Sequence, residues 1–275
     1  MGAEGGNLSI GLVLARSWTV FTARWLPFSG IMLLAGLLAG IAIGILFFGC
    51  ILAIEIMPSG GGGDGFYISD SETVVIGATL AVMAAAGLAI LQVGAAAVAF
   101  GTVQYLRGQP GDFGRCLNHG FAVMAPAAGT ALLVELITGI PAAGLAAFGI
   151  IADSPIIFVG LVLAPLIAVP FLVAVPAAAL ERKGVSSALA RSIELTRGSY
   201  GRLLGILLLM AAVYVAIVAL MGTAVDVIVG IILPFTLAAL LAYGTFAAVL
   251  AAVLYLELRR VKEGNGAEDT AKLFD

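Results

Sequence analysis

Charged side chains are scarce in this 275-residue chain, where Asp, Glu, Lys and Arg together make up 11% of the sequence. Soluble domains carry about 25% charged residues, and a folded globule of this size needs polar groups to cover its surface. One soluble core cannot bury the 62% of residues in the hydrophobic class together with 36 glycines. A soluble fold is therefore excluded.

Cysteine and histidine are scarcer still, with two cysteines and one histidine in the chain. Two cysteines do not make a disulfide-rich scaffold, and the mean hydropathy of +1.17 excludes intrinsic disorder. Cys50 and Cys116 fall on opposite sides of the membrane in the topology predicted below, so they cannot pair with each other. A polytopic membrane protein remains, and we expect its fold to be all-α.

Six apolar runs are long enough to cross the roughly 30 Å hydrocarbon layer of a bilayer, which takes about 20 helical residues. Several exceed this length, so tilted spans are expected. We predict one six-helix transmembrane domain over residues 1–262, followed by a polar cytoplasmic tail at 263–275. The predicted spans are approximately residues 27–56, 74–106, 121–151, 156–180, 203–225 and 229–258.

The basic residues occupy only alternate connections between these spans. The N-terminal segment, the second loop, the fourth loop and the C-terminal tail hold 2, 2, 5 and 4 of them, which accounts for all 13. Residues 57–73, residues 152–155 and the turn at Asp226 hold none. The positive-inside rule therefore predicts a multi-pass protein of the cytoplasmic (inner) membrane with both termini in the cytoplasm.

Short segments on the basic side share a pattern ahead of each pair of spans. Ala15-Arg16-Ser17 recurs as Ala190-Arg191-Ser192, whereas residues 113–120 keep only the apolar frame. We predict three repeats, each an amphipathic interfacial helix followed by a transmembrane hairpin. A cytosolic linker helix packed on its own protein is the alternative. The candidate inner-interface motif consists of Arg16, Ser17, Arg191, Ser192, Glu194 and Arg197.

Helical projection gives these segments a polar and an apolar face. Arg191, Glu194 and Arg197 follow each other at spacings of three, so neighbouring charges can pair on the face opposite the apolar one. Ser9 and Asp112 are expected to be the N-caps of the first and second segments, because short polar side chains accept hydrogen bonds from the amides of a first helical turn.

Several stretches together resemble a known membrane family. The most specific part lies in residues 165–209, with Pro170, Val175-Pro176, residues 180–185 and residues 190–198, and residues 104–110, 254–259 and 262–264 fit as well. They look like the membrane-domain family found fused to some glycerophosphoryl diester phosphodiesterases and also as stand-alone bacterial and archaeal proteins. The resemblance covers most of the chain and implies a six-helix inner-membrane protein of poorly defined role.

The resemblance does not imply phosphodiester hydrolysis. That chemistry uses a soluble barrel with paired histidines and metal-binding carboxylates, whereas His119 is the single histidine here and has no partner at metal-ligand spacing. We therefore expect no catalytic residue, no cofactor, no metal and no enzymatic activity. Nucleic acid is not an expected partner, because no basic stripe is interleaved with aromatic residues outside the spans.

Glu135 is the one ionisable residue near the centre of a predicted span, and Gln92 lies at a similar depth in the second span. A charge at the bilayer centre costs about 2.5–3.5 kcal/mol on insertion scales, so such residues usually face the bundle interior. Glu135 either lines a polar cavity or ion path, or is a protonated acid hydrogen-bonded to a neighbouring helix.

Glycines at spacings typical of close helix packing recur in the first two spans. They serve either packing within the monomer or contacts with a second copy or another membrane protein. Membrane lipids are the other expected partners. We expect a non-catalytic accessory or scaffold protein, with a small transporter or channel that uses Glu135 as the alternative. The candidate helix-packing residues are Gly36, Gly40, Gly44, Gly87, Gly94 and Gly101.

Overall fold

The computed structural model describes residues 8–56, 70–109, 111–151, 163–182, 184–222 and 229–263. These residues are helical and contain no strand, which confirms the expected all-α fold. A 3-10 turn at Val169–Phe171 interrupts the fourth apolar stretch. Residues 163–168, before this turn, are also helical. The labelled helices are α1 (Ile10–Ile56), α2 (Asp70–Leu106), α3 (Phe113–Ala122), α4 (Met124–Ile151), α5 (Ala174–Glu181), α6 (Val185–Thr196), α7 (Tyr200–Gly222) and α8 (Val229–Glu263).

Within the described residues, six helical stretches are long and apolar enough to cross a membrane. They overlap the six predicted spans and indicate a multi-pass membrane protein. Of the predicted connection at 57–73, residues 57–69 lie outside the described residues, whereas residues 70–73 are already helical in α2. The connection at 152–155, the turn at Asp226 and the tail beyond residue 263 also lie outside the described residues. The six stretches are Ile10–Gly49, Ala85–Leu106, Met124–Pro141, Leu163–Glu181, Tyr200–Ala219 and Pro234–Glu263.

The first interfacial segment and the first span form one helix, which begins 17 residues before the predicted span start. Arg24 alone has non-helical angles inside α1 (φ −131°, ψ 24°), and these mark a kink between the two parts. Pro27 lies within the first turn after the kink, where a missing amide hydrogen removes no helical bond. The kink therefore sets the direction of the membrane-crossing part of α1.

The two predicted N-caps behave differently. Ser9 immediately precedes α1, and its Oγ accepts a hydrogen bond of 3.5 Å from the Leu12 amide. Asp112 is the N-cap residue of α3, as predicted, although its carboxylate makes no capping hydrogen bond. The Asp112 carbonyl accepts from the Cys116 amide instead, which leaves the carboxylate available for other contacts.

Helix α2 lies at the centre of the bundle and packs against α1, α3, α4, α5 and α8. Its glycines allow α1 to come close: a Cβ on Gly94 would lie 2.7 Å from the Ala35 Cβ, and one on Gly101 would lie 2.6 Å from Phe28 Cε1. A Cβ on Gly87 would lie 2.7 Å from Ile43 Cδ1. These three glycines therefore form a packing face within the monomer.

The glycines of α1 do not take part in this contact. A Cβ on Gly36, Gly40 or Gly44 would meet nothing within 4 Å among the described residues. The α1 and α2 ridges thus lie in different environments, although their sequence patterns are alike. One ridge is packed and the other is open.

Replacing Gly101 by Ala tests the close approach of α1 and α2. The added Cβ would overlap the buried Phe28 ring and lie 2.9 Å from Cys116 Sγ. We expect a loss of about 1–3 kcal/mol of stability from overpacking, measured as a lower thermal midpoint in detergent. Gly36→Ala is the matched control and should hold or raise the midpoint, because Ala forms helix better than Gly by about 1 kcal/mol. Equal midpoints for the two variants would contradict the packing described here.

Candidate functional site

Both arginines of the repeated Ala-Arg-Ser pattern pair with carboxylates near the C-terminal end of α8. Arg16 forms an ion pair with Glu257. Arg191 forms ion pairs with Glu181 at 3.1 Å, with Glu194 at 3.0 Å and with Glu263. The two segments are far apart in sequence, yet their arginines meet the same helix. We call this end of the bundle the basic end.

These ion pairs tie α1, α5, α6 and α8 together at the basic end: the Arg16–Glu257 pair joins α1 to α8, and the contacts of Arg191 join α5, α6 and α8. Tyr255 Oη donates a hydrogen bond to Glu181 Oε1, and Arg259 Nε donates one of 2.6 Å to Glu263 Oε2. Both sets of contacts involve the C-terminal end of α8, and together they are called the α8 ionic cluster below. Its members are Arg16, Glu181, Arg191, Glu194, Tyr255, Glu257, Arg259 and Glu263.

Arg191 is the most connected member of the α8 ionic cluster. Its Nε, Nη1 and Nη2 donate to Glu181, Glu194 and Glu263 respectively. Burial acts to lower the pKa of Arg191, but hydrogen bonds and charge from Glu194 and Glu181 outweigh it and raise the pKa. The guanidinium therefore stays charged with all three nitrogens bonded, the condition under which a poorly exposed ion pair stabilises a protein.

The two serines of the pattern are fully buried and donate to backbone carbonyls. Ser17 Oγ donates to the Val13 carbonyl at 2.7 Å within its own helix. Ser192 Oγ donates to the Pro170 carbonyl at 2.7 Å and so fastens α6 to the 3-10 turn. Because both hydroxyls donate to carbonyls rather than to a base, this arrangement suits a structural role. Arg197, the last residue of the predicted motif, is exposed on the surface.

His119 lies in α3 and is 6% exposed. Its ring stacks on Phe100 with centroids 4.0 Å apart, and Nε2 lies 2.9 Å from the Ala179 carbonyl. A carbonyl only accepts, so Nε2 carries the hydrogen and donates it. Ala179 belongs to the last turn of α5, whose carbonyls lack helical partners. His119 therefore attaches α3 to the end of α5.

Burial lowers the pKa of His119, and nearby Arg182 lowers it further, whereas the hydrogen bond to Ala179 acts in the opposite direction. The net effect is a pKa below the ordinary value of about 6.5. At neutral pH the ring is thus uncharged, with its Nδ1 unprotonated.

The two residues of the predicted intramembrane polar site are not joined by a hydrogen bond in the described part of the chain. Glu135 on α4 and Gln92 on α2 are both half-buried. A Cβ on Gly139 would lie 3.5 Å from Glu135 Oε2, so the carboxylate extends along its own helix over that glycine. Thr130 Oγ1, five residues before Glu135 on α4, is buried without a hydrogen-bond partner among the described residues.

Sequence reasoning missed the acidic partners in the α8 ionic cluster. Glu181, Glu257 and Glu263 each lie at the basic-side end of an apolar run, next to arginines. An acid in that position is a signal for an ion pair at the membrane boundary. The pattern did not show which arginine each acid meets, because the partners are up to 241 residues apart in sequence.

No protein-family model, curated protein or solved structure matches this chain.

Replacing Glu181 by Gln tests the α8 ionic cluster. The side chains of Arg191 and Glu181 are only 14% and 12% exposed, so the change leaves a poorly hydrated guanidinium with one carboxylate fewer. We expect a loss of about 3 kcal/mol of stability, measured by thermal or chemical unfolding in detergent. Glu194→Gln is the matched control: Glu194 contacts the same guanidinium but is 68% exposed, so it should cost less than about 1 kcal/mol. Equal losses for the two variants would contradict the role given to burial.

The pH dependence of stability tests the uncharged state of His119. Its folded pKa is lower than its unfolded pKa of about 6.5, so the unfolded chain binds the proton more readily. The contribution to stability is complete above about pH 6.5 and decreases as the pH falls below that value. We expect the thermal midpoint to fall between pH 7.5 and 5.5, and to fall less in His119→Asn. An unchanged slope in this variant would overturn the assignment, since His119 is the chain's only histidine.

Proposed function

We propose that this chain is a non-catalytic integral membrane accessory or scaffold protein that packs against lipids or another membrane protein complex. In this proposal the protein lies in the cytoplasmic membrane, with the basic end and both termini on the cytoplasmic side, as the positive-inside rule predicts. It assigns no catalytic residue and no cofactor. The observation that carries it is the open face of α1.

That face combines small residues with exposed apolar ones. A Cβ added at Gly36, Gly40 or Gly44 would have no neighbour within 4 Å among the described residues, and Leu37 and Ile41 beside them are 57% and 60% exposed. In a bilayer such a face contacts acyl chains or a second helix. Small residues at spacings of four allow the backbone of a partner helix to approach closely. A second copy of the chain and another membrane protein are the two partners that this face fits.

In the proposed arrangement the protein has the three-unit organisation inferred from the sequence. The part of α1 before the kink, α3 and α6 are short segments that each precede a membrane-crossing stretch, and the first and third carry the arginines of the α8 ionic cluster. In the proposed arrangement they lie at the inner interface and hold the spans together. The resemblance to the membrane-domain family agrees with a protein of this kind.

A small transporter or channel is the alternative function, and Glu135 is the observation that favours it. Glu135 is half-buried, and the Thr130 hydroxyl, five residues earlier on the same helix, is buried with no hydrogen-bond partner among the described residues. Ionisable residues inside a membrane often mark ion or proton paths. A coupled carrier normally needs several such groups, however, so the scaffold function is preferred.

Cross-linking in native membranes tests the open face of α1. In a background with Cys50 and Cys116 replaced by Ser, we expect Gly40→Cys to give a discrete cross-linked product, either a dimer or a heteromeric complex, with a short bifunctional thiol reagent. Gly205→Cys on α7 is the matched control, because it is equally open to its surroundings but outside this face. Monomer alone for Gly40→Cys, or the same product for both variants, would contradict the proposed docking face.

A further inference from the structure

A second pair of arginines lies at the basic end, outside the α8 ionic cluster. Arg24, at the kink of α1, and Arg115, in the first turn of α3, both border an open cavity of about 490 Å³. The guanidinium of Arg24 lies 5.7 Å from the ring centroid of Tyr105, a cation–π contact that holds it in place. Among the described residues, neither arginine forms an ion pair. The other lining residues are Pro27, Gly111, Asp112 and Phe113.

An apolar groove of about 290 Å³ lies between α1, α2 and the junction of α3 with α4. Each of these three walls contributes apolar residues or glycine, such as Leu34 on α1 and Val93 on α2. The rim residues Leu38, Phe121 and Met124 are 41%, 50% and 49% exposed, so the groove opens sideways to the surroundings of the bundle. In a bilayer this opening faces the acyl chains.

The cavity and the groove follow one another along the same helices. On α1, Pro27 borders the cavity, and Ile31, Leu34 and Leu38 border the groove at spacings of three and four, which places them on one face. At 1.5 Å per residue this stripe is about 16 Å long, close to half of the roughly 30 Å hydrocarbon layer. Phe113 borders the cavity and lies against α1 at Gly30, where a Cβ would be 3.4 Å from its ring.

We propose that this continuous surface binds one anionic glycerophospholipid of the phosphatidylglycerol type. The lipid phosphate lies between Arg24 and Arg115, and one acyl chain lies in the apolar groove. Two arginines and Asp112 give the cavity a formal charge of +1, which complements a headgroup with one negative charge. The Asp112 carboxylate makes no capping hydrogen bond and accepts one from a headgroup hydroxyl. This inference rests on the proposed scaffold function and names the lipid class that it binds.

Native mass spectrometry of the intact protein in mild detergent tests the site, with phosphatidylglycerol and phosphatidylcholine of equal chain length as probes. Wild type should bind one phosphatidylglycerol at least tenfold more tightly than phosphatidylcholine. Arg115→Gln should weaken phosphatidylglycerol binding about fivefold, since a basic side chain near an anionic headgroup contributes about 1 kcal/mol. Arg115 is exposed and outside the ion pairs, so the variant should fold normally. Arg24→Gln with Arg115→Gln should remove the preference.

Arg197→Gln is the matched control, because Arg197 is exposed at the basic end but borders neither cavity nor groove. It should leave the preference unchanged. Equal affinity of wild type for the two lipids, tighter binding of phosphatidylethanolamine, or an equal loss in Arg197→Gln would overturn the assignment. So would binding of chain-free glycerol phosphate as tight as that of the lipid, which would indicate an anion site alone. Cross-linking at Gly40 is a separate readout, so the lipid site can fail while the scaffold function stands.

Discussion

The close approach of α1 and α2 is the constraint on which the rest of the structure depends. Between membrane helices there is little hydrophobic driving force, because lipid tails are as apolar as leucine, so tight van der Waals packing at small residues must supply the association. Gly94 and Gly101 allow it by placing α2 backbone against Ala35 and Phe28. Helix α3 packs on α2 in the same way, since a Cβ on Gly120 would lie 2.8 Å from the Ala97 Cβ.

This arrangement also determines what each side of α1 can do. One side of α1 packs against α2. The groove between α1, α2 and α3 forms where glycines allow these helices to approach closely. A separate ridge about 100° around the helix, at Gly36, Gly40 and Gly44, is left open. Packing inside the monomer and the proposed contact with a partner therefore lie on two different faces of one helix.

The ion pairs among the described residues gather at the basic end of the bundle, where the cost of charge is low. An ion costs several kcal/mol in a low-dielectric interior unless it is paired and hydrogen-bonded. In the α8 ionic cluster, Arg191 meets three carboxylates, and the network connects helices that are distant in sequence. The packed middle and the ionic basic end thus stabilise the bundle by different means: one by shape and the other by paired charge.

The positions of the spans can be predicted from the sequence, whereas the continuity of α1 and the orientation of its glycines cannot. Span positions follow from length and hydropathy, and the six apolar runs correspond to the six helical stretches. The continuity of α1 through Arg24 was missed, because Pro27 restricts the residue before it and so resembles a helix boundary. Spacing could not distinguish the packed ridge from the open one, since a glycine pattern does not show which way a helix is turned.

The partners within the candidate site could not be predicted for a related reason. Arg16 and Glu257 are 241 positions apart, and only the tertiary fold brings them together. The pattern placed both arginines at the membrane boundary and identified the serines beside them. It did not indicate that α8 would provide their carboxylates, because nothing local to either arginine encodes the position of the last helix.

Ion and proton flux in proteoliposomes tests the scaffold function most directly. We expect liposomes containing the purified protein to show the same proton and cation permeability as empty liposomes, with an applied membrane potential and across pH gradients of either sign. Glu135→Gln should not change this result. A saturable flux in wild type that Glu135→Gln abolishes, while the variant keeps the wild-type thermal midpoint, would contradict the scaffold function and establish the transporter in its place.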